Sequence, residues 1–413
     1  MAITYNKSIK TEKDMKSIIS HLVYMNDGIR ICSEACSCCW DKKNPDSYED
    51  KVNYLGKRCE TGHTSILEHS NLIIVVKMPD YVQDTNLIAT FDALSSCKYI
   101  NVIMRQGSDN VPYFLIGGSY RGYIELFKLS NDPTVNVFLR SVSKVLYQNL
   151  DAKIFYDLTK DNILNVDSFK GVEPDPINDT FNPIRETPIY EDDKIKVISF
   201  DNIEQIKINL INIIGENIFT TDDIFRVASI SILFKDMSRT ATHQLVRHRN
   251  GITQESQRYV DYSHAAFADP VTFKPDKYDP DKKYDFKFGG HNFSMTSNEI
   301  GEAIIGIYHY MFEQGMLKED ARSFLPGNVK CRRLYMTFTF KSFIKFLELR
   351  CHLAAQAEIR SFALSCRDAK DLIDNTYMNE VRVQGVDEII SDKEVIMNNL
   401  IENEPELKNE EEN

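Results

Sequence analysis

The sequence predicts an α+β fold, and three observations carry that prediction. Apolar residues recur at helical spacing near both ends of the chain, the run Leu72 to Met78 is apolar throughout as a buried strand requires, and IFRVASISILFKDMSRTATHQLVRHR passes from a β-rich segment into a helix. Taken in order, Met15, Ile18, Ile19, Leu22 and Val23 place an amphipathic helix from about Glu12 to Cys39. A shorter helix over Tyr48 to Cys59 should stop at Thr61-Gly62, and GHTSILEHSNLIIVVKMPD leads from a polar turn into the Leu72 strand. From about Pro79 to Asp223 the pattern is mixed and includes the Asp-, Asn- and Pro-rich stretch DSFKGVEPDPINDTFNPIRETPIYEDD. Residues 79–223 therefore read as an insertion between two pieces of one domain, 1–78 and 224–400. Further on, Tyr262 to Asn292 reads as a charged loop, and a helix from Ser297 to Met316 has Thr296, Ser297 and Asn298 as candidate N-caps and Gly315 near its end. The stretch FKSFIKFLELRCHLAAQAEIRSFALSCRD reads as one long buried helix, and residues 401–413 as a disordered acidic tail.

Composition narrows the function classes. The chain has 413 residues and a formal net charge of -12, with a pI near 5.3. Proteins that coat nucleic acid or anionic membranes rely on broad basic surfaces, so this balance argues against both. The first residues carry no apolar leader, and no later run reaches the roughly twenty apolar residues of a membrane span. The expectation is a soluble, cytoplasmic protein. Nine cysteines without a leader suggest reduced thiols. Cys32, Cys36, Cys38 and Cys39 are dense enough to suggest a metal, but no second ligand pair follows at zinc-site spacing, so no metal is expected and packing is the better reading.

Against that acidic background, THQLVRHRNGITQESQRYV concentrates Arg247, Arg249 and Arg258 with His243 and His248. Arginine suits phosphate because its planar fork donates two hydrogen bonds and stays charged when partly buried. On a helix Gln244 and Arg247 share a face while Arg249 points elsewhere, so one segment can address two anions. Taken alone, a solvated basic face would explain the same cluster.

The cluster does not stand alone. His63-x-Ser65-x-x-Glu68-His69, the HQLVRHR to SQRY segment, Ala321-Arg322 through Leu325-Pro326, and Leu349-Arg350 through Gln356-x-Glu358-Ile359-Arg360 occur in this order. Together they resemble the flavin-dependent thymidylate synthases, over roughly Cys32 to Val76 and Ala228 to Asp368. The resemblance implies an α+β fold with a mixed sheet and long helices. It also implies an enzyme that converts dUMP to dTMP, with methylenetetrahydrofolate as carbon donor, FAD as hydride carrier and NADPH as electron source, and a homotetramer with shared active sites. It places Gln244, Arg247, Ser256, Arg258, Arg322 and Arg350 at the nucleotide, and Ser65, Glu68, His248, Arg249, Lys341 and Lys345 at the cofactor. Arg247, His248, Ser256 and His63 are the residues it implies nearest the chemistry. No cysteine lies between Cys97 and Cys331, which suits a reaction in which the cofactor rather than a thiolate carries the chemistry.

This sequence departs from the family pattern in two places. The loop between Arg249 and Ser256 is one residue short, and Thr339, Lys341, Lys345 and Ala354 stand where Asn, Arg, Asn and His are common. Lys341 keeps the charge without the fork. These departures fall on the flavin side, and leave open a different C5 product, such as a hydroxymethyl nucleotide, or a nucleotide-binding protein without catalysis.

Overall fold

The computed structural model describes residues 18–79, 84–128, 138–139, 141–142, 145–146, 190–248, 251–265, 279, 281–352 and 354–373. The first sheet is built from β1 (Ile19–Met25), β2 (Leu72–Lys77), β3 (Ile100–Gln106) and β4 (Pro112–Gly118) in the order β1-β2-β4-β3. Between β1 and β2 run α1 (Gly28–Trp40), α2 (Tyr48–Glu60) and a 3-10 turn over Thr64–His69; α3 (Asp84–Ser95) precedes β3 and α4 (Tyr120–Lys128) follows β4. The second sheet contains β5 (Tyr190–Glu191), β6 (Ile195–Phe200), β7 (Ser229–Ser238), β8 (Gly251–Gln254) and β11 (Lys330–Thr339), ordered β5-β6-β7-β11-β8. Its helices are α5 (Ile203–Ile214), α6 (Thr221–Val227), α7 (Arg239–Leu245), α8 (Ser297–Glu313), α9 (Lys318–Ala321), α10 (Phe340–Arg350) and α11 (Ala357–Ile373), and β9 (Tyr284–Phe288) and β10 (His291–Met295) form a separate hairpin.

The α+β class is as expected, but every strand pairing among the described residues is antiparallel rather than mixed. The two-helix excursion after β1 returns the chain to the end where β1 finished, so Leu72 pairs with Met25 and β2 runs back. Alternation sorts the β2 side chains into two cores. Ile73 and Val75 join Ile230, Ile232, Phe234, Met336 and Phe338 of the second sheet in one core. Leu72, Ile74 and Val76 face α1 and α2 in the other.

Four sequence expectations are corrected. The helix proposed for Glu12 to Cys39 is a strand followed by a helix: Leu22 pairs with Ile74, and the Asp27 side chain accepts the Arg30 N–H to start α1. The described parts of the 79–223 segment join the two sheets, since β3 and β4 complete the first and β6 lies beside β7 in the second. The end of the Tyr262 to Asn292 loop is the β9–β10 hairpin, turned at Gly289-Gly290, whose positive φ angles of 57° and 83° suit glycine. The long C-terminal helix is two: α10 ends at Arg350, and Arg360 Nε returns to the Cys351 carbonyl at 3.0 Å. Thr296 caps α8 with a reciprocal Glu299 capping box. The acidic tail lies outside the described residues.

Candidate functional site

Ser238 ends β7 and begins α7. Its Oγ accepts the Ala241 N–H at 3.0 Å, while its own N–H and O–H donate to the two Glu358 oxygens at 2.7 and 2.6 Å. The start of α11 is thereby tied to the start of α7. One turn later, Gln244, Arg247 and His248 emerge beside Arg350 from the end of α10. Arg350 donates through Nη1 to Gln244 Oε1 at 3.4 Å, through Nη2 to the Gln244 carbonyl at 3.2 Å and through Nε to His248 Nε2 at 3.2 Å. A guanidinium can only donate, so His248 Nε2 carries a lone pair. Burial, then the Arg350 charge, lowers the His248 pKa to about 4, which keeps the ring neutral near pH 7. The edge of that ring stands against Phe346. Arg247 is exposed; burial, then the nearby Arg247 charge, lowers the Arg350 pKa. Gln244 Nε2 donates to Gln356 at 3.5 Å.

A second group gathers on the SQRY turn. Ser256 donates its N–H to the Cys39 carbonyl at 3.0 Å, and its Oγ accepts from Arg258 N–H at 3.2 Å, so the end of α1 anchors the turn. Arg258 Nε lies 3.2 Å from Glu319 Oε2, and Arg322 Nε donates to the Glu319 carbonyl at 3.0 Å. His63 meets Trp40 edge-on at 5.1 Å; Trp40 stacks on Tyr259 at 5.8 Å and has the Arg58 guanidinium 4.5 Å above it.

Glu68 forms a third group. It accepts from Arg121 Nη1, and burial raises its pKa despite that partner. The Arg121 guanidinium rests 4.4 Å from the Tyr99 ring, and its buried Nε has no acceptor. Glu68 and Tyr99 border a cavity of about 440 Å³, which Asn71, Lys98, Val246, Gly251 and Thr339 also line. Ser65 is exposed on the same 3-10 turn. Lys341 and Lys345 stand elsewhere, lining an adjoining cavity of about 490 Å³ with Arg226. Lys341 pairs with Asp222 at 2.8 Å and Lys345 with Glu348 at 3.0 Å. Arg249 lies outside the described residues. No group of three or more His, Cys, Asp or Glu is placed to hold a metal, and no helix is long and apolar enough to cross a membrane, among the described residues.

Residues 190–371 match the family model described as thymidylate synthase complementing protein. The flavin-dependent thymidylate synthase of Nitratidesulfovibrio vulgaris is 31% identical over 140 residues, 33% of this chain and 53% of that protein. That of Geobacter sulfurreducens is 33% identical over 138 residues, 33% of this chain and 54% of that protein. Over this stretch the chain is similar to the flavin-dependent thymidylate synthases. A relative from Pyrococcus abyssi is 30% identical over 172 residues, 40% of this chain and 63% of that protein. The chain thus spans about half the length of the first two relatives it matches. Among solved structures, a UMP/dUMP methylase PolB from Streptomyces cacaoi bound with 5-Br dUMP is 20% identical, with a TM-score of 0.31, covering 43% of this chain and 90% of that one.

Among the described residues, the structure groups Gln244, Arg247, His248 and Arg350, and separately Arg258, Arg322 and His63. Sequence reasoning missed Trp40, Arg58 and Glu319, of which Trp40, the one tryptophan in the chain, carried a signal; Arg121 lies in YFLIGGSYRGYIELF, which loosely resembles a Gly-x-x-Arg stretch in some longer flavin-dependent thymidylate synthases. Glu319 and Arg58 are ordinary helix residues whose partners lie far away in sequence.

Proposed function

We propose that the chain binds dUMP and methylates it to dTMP, with FAD as the redox cofactor, methylenetetrahydrofolate as carbon donor and NADPH as electron source. The observation that supports this reading is the Arg350 group in the family-matched residues, where one guanidinium is oriented by Gln244 and neutral His248. A pyrimidine offers carbonyl acceptors, and a guanidinium already oriented by neighbouring acceptors loses little freedom in meeting them. Arg258 and Arg322 are held together by Glu319 and are suited to the nucleotide phosphate. The exposed Arg258–Glu319 pair contributes only about 0–1 kcal/mol, so a dianion that accepts strongly from Arg258 displaces it at small cost.

The residues around Glu68 fit a dinucleotide cofactor: Arg121 Nε is a buried donor lacking an acceptor, and the adjoining cavity holds about 440 Å³. Flavin, when bound, supplies the hydride chemistry. Glu68 and Arg121 would hold its polar edge, and Arg249 its phosphates. Neutral His248 adds no third positive charge beside Arg247 and Arg350, so the two arginines stay close enough to serve one ligand. Lys341 and Lys345 are engaged by Asp222 and Glu348 and have a smaller part in this reading than the sequence suggested.

Incubating the protein with dUMP, methylenetetrahydrofolate, FAD and NADPH should yield dTMP by mass spectrometry. Arg350→Ala should weaken dUMP binding about 10- to 100-fold, the loss of charge-assisted hydrogen bonds of about 1.5–3 kcal/mol. A different nucleotide product, or dUMP returned unchanged, would overturn the reading.

A further inference from the structure

The two sheets contain one strand arrangement written twice. β1-β2-β4-β3 and β6-β7-β11-β8 are both antiparallel throughout, with β5 added at one edge. Registers agree residue by residue. Leu22 pairs with Ile74 and, past a bulge, Tyr24 with Ile73; Val197 pairs with Ile232 and, past a bulge, Ser199 with Ser231. Lys77 opposes Tyr113 and Leu72 opposes Gly118, as Lys235 opposes Arg333 and Ile230 opposes Phe338. Met104 opposes Phe114 as Gln254 opposes Leu334. A shared strand order is a common outcome of packing; an irregularity at the same register is not.

The flanking chemistry repeats as well. After the first strand of each set, Asn26 and Asp201 donate their N–H to the carbonyls of Asn71 and Ser229 at 3.1 and 2.9 Å. Their side-chain oxygens accept the N–H of the same two residues at 2.9 and 2.7 Å. The next residues, Asp27 and Asn202, each cap the following helix. After the third strand, SYRGYIEL from Ser119 occupies the place of TFKSFIKF from Thr339, conservative at most positions. Contacts across the middle are reciprocal. His69 hydrogen-bonds with Thr337 at 2.9 Å, and the residues at the matching positions, Val227 and Gly117, also meet, a Cβ on Gly117 falling 2.4 Å from that of Val227. Contact of one residue pair in both senses is the mark of a two-fold arrangement.

We propose that the chain is two copies of one unit, residues 19–128 and 195–350, facing each other about a local two-fold axis, with the ligand-binding groups divided between them so that one of two related sites survives. The division rests on the function proposed above; the repeat does not. His63, Ser65 and Glu68 in the first copy are matched in the second by Thr221, Asp223 and Arg226. Gln244, Arg247 and His248 in the second copy are matched in the first by Leu94, Cys97 and Lys98. Glu68 lies against Gly251 of β8, directly after the arginine segment, so the retained groups of both copies fall on one side of the axis. On the other side Asp223 is tied to Arg105 at 2.6 Å, and a cation replaces the Glu68 carboxylate while a thiol replaces the Arg247 guanidinium. A ligand suited to one side meets the wrong charges on the other.

Calorimetry on the full chain should give one dUMP and one FAD per chain. Glu68→Gln should weaken FAD binding, and Arg247→Gln dUMP binding, by about tenfold or more, whereas the matched changes Arg226→Gln and Cys97→Ser should stay within about twofold. Two dUMP molecules per chain, or equal losses at Glu68 and Arg226, would overturn the division. If the parent binds neither ligand, the proposed function and the division fall together, and an experimental structure of the unliganded chain decides the repeat: superposition of the two strand sets by a half turn upholds it, and failure to superpose refutes it.

Discussion

Arg350 is fixed by the chain itself: three acceptor contacts, two of them on Gln244 and one on neutral His248, set the plane of its fork before any ligand arrives. His69 shows the same logic inside the core. It is fully buried, its two ring nitrogens hydrogen-bonded with Thr337 and Thr253 at 2.9 and 2.8 Å, and burial lowers its pKa to about 3. Because the folded value lies below the unfolded one, near 6.5, the unfolded state binds more protons between these limits. The stability His69 permits is therefore complete above about pH 6.5 and is lost as pH falls toward 3. Asp201 pulls the other way, since burial raises its carboxyl to about 7 and stability from it is lost as pH rises through that value. Comparing the parent with His69→Gln cancels the Asp201 contribution. The stability advantage of the parent should shrink by about 2 kcal/mol between pH 7 and pH 5, read from urea midpoints. An advantage constant with pH would mean that His69 titrates normally.

The element on the proposed cofactor side is the 3-10 turn Thr64–His69, seated on β8. Gly251 permits the seating: an added Cβ would lie 2.7 Å from the Glu68 carbonyl oxygen, a backbone atom that cannot rotate away. Gly251→Ala should cost about 1–3 kcal/mol by overpacking and should loosen FAD together with stability. Matching urea midpoints for parent and variant would show that the turn shifts freely. Asn101, at the matching position in the first copy, already carries a side chain, so the requirement belongs to this one contact. Element boundaries were the least legible part of the sequence. Leu22 and Val23 suit a helix stripe or a strand, and pairing with β2 chose the strand; the break after Arg350 has no proline or glycine to announce it, and was set by tertiary contacts of Arg360 and Gln356.

Across the whole molecule, residues of both sheets share one core: Val23, Ile73, Val75 and Leu115 from the first sheet pack with Ile232, Phe234 and Phe338 from the second. Asn71 crosses the same junction, its Nδ2 donating to Asp201 at 2.6 Å and to the Val227 carbonyl at 2.8 Å. The two repeats should therefore unfold together. Scanning calorimetry should record one transition whose calorimetric and van't Hoff enthalpies agree; two resolved transitions would mean that each half is stable alone.

The sequence by itself determined the chemistry on offer. Fixed arginine forks, a carboxylate at Glu68, apolar strands of the right length and the cap residue Thr296 are properties of residue types and short spacings, and local physics reads them directly. Which of these groups meet was decided only in the tertiary structure. Arg350 reaches Gln244 and His248 across more than a hundred residues, Glu68 turns to Arg121, and Lys341 and Lys345 are drawn to Asp222 and Glu348. The repeat stayed hidden for the same reason: its copies keep register, bulge and cap while replacing the side chains, and strand pairing depends on backbone hydrogen bonds that any of those side chains can accompany.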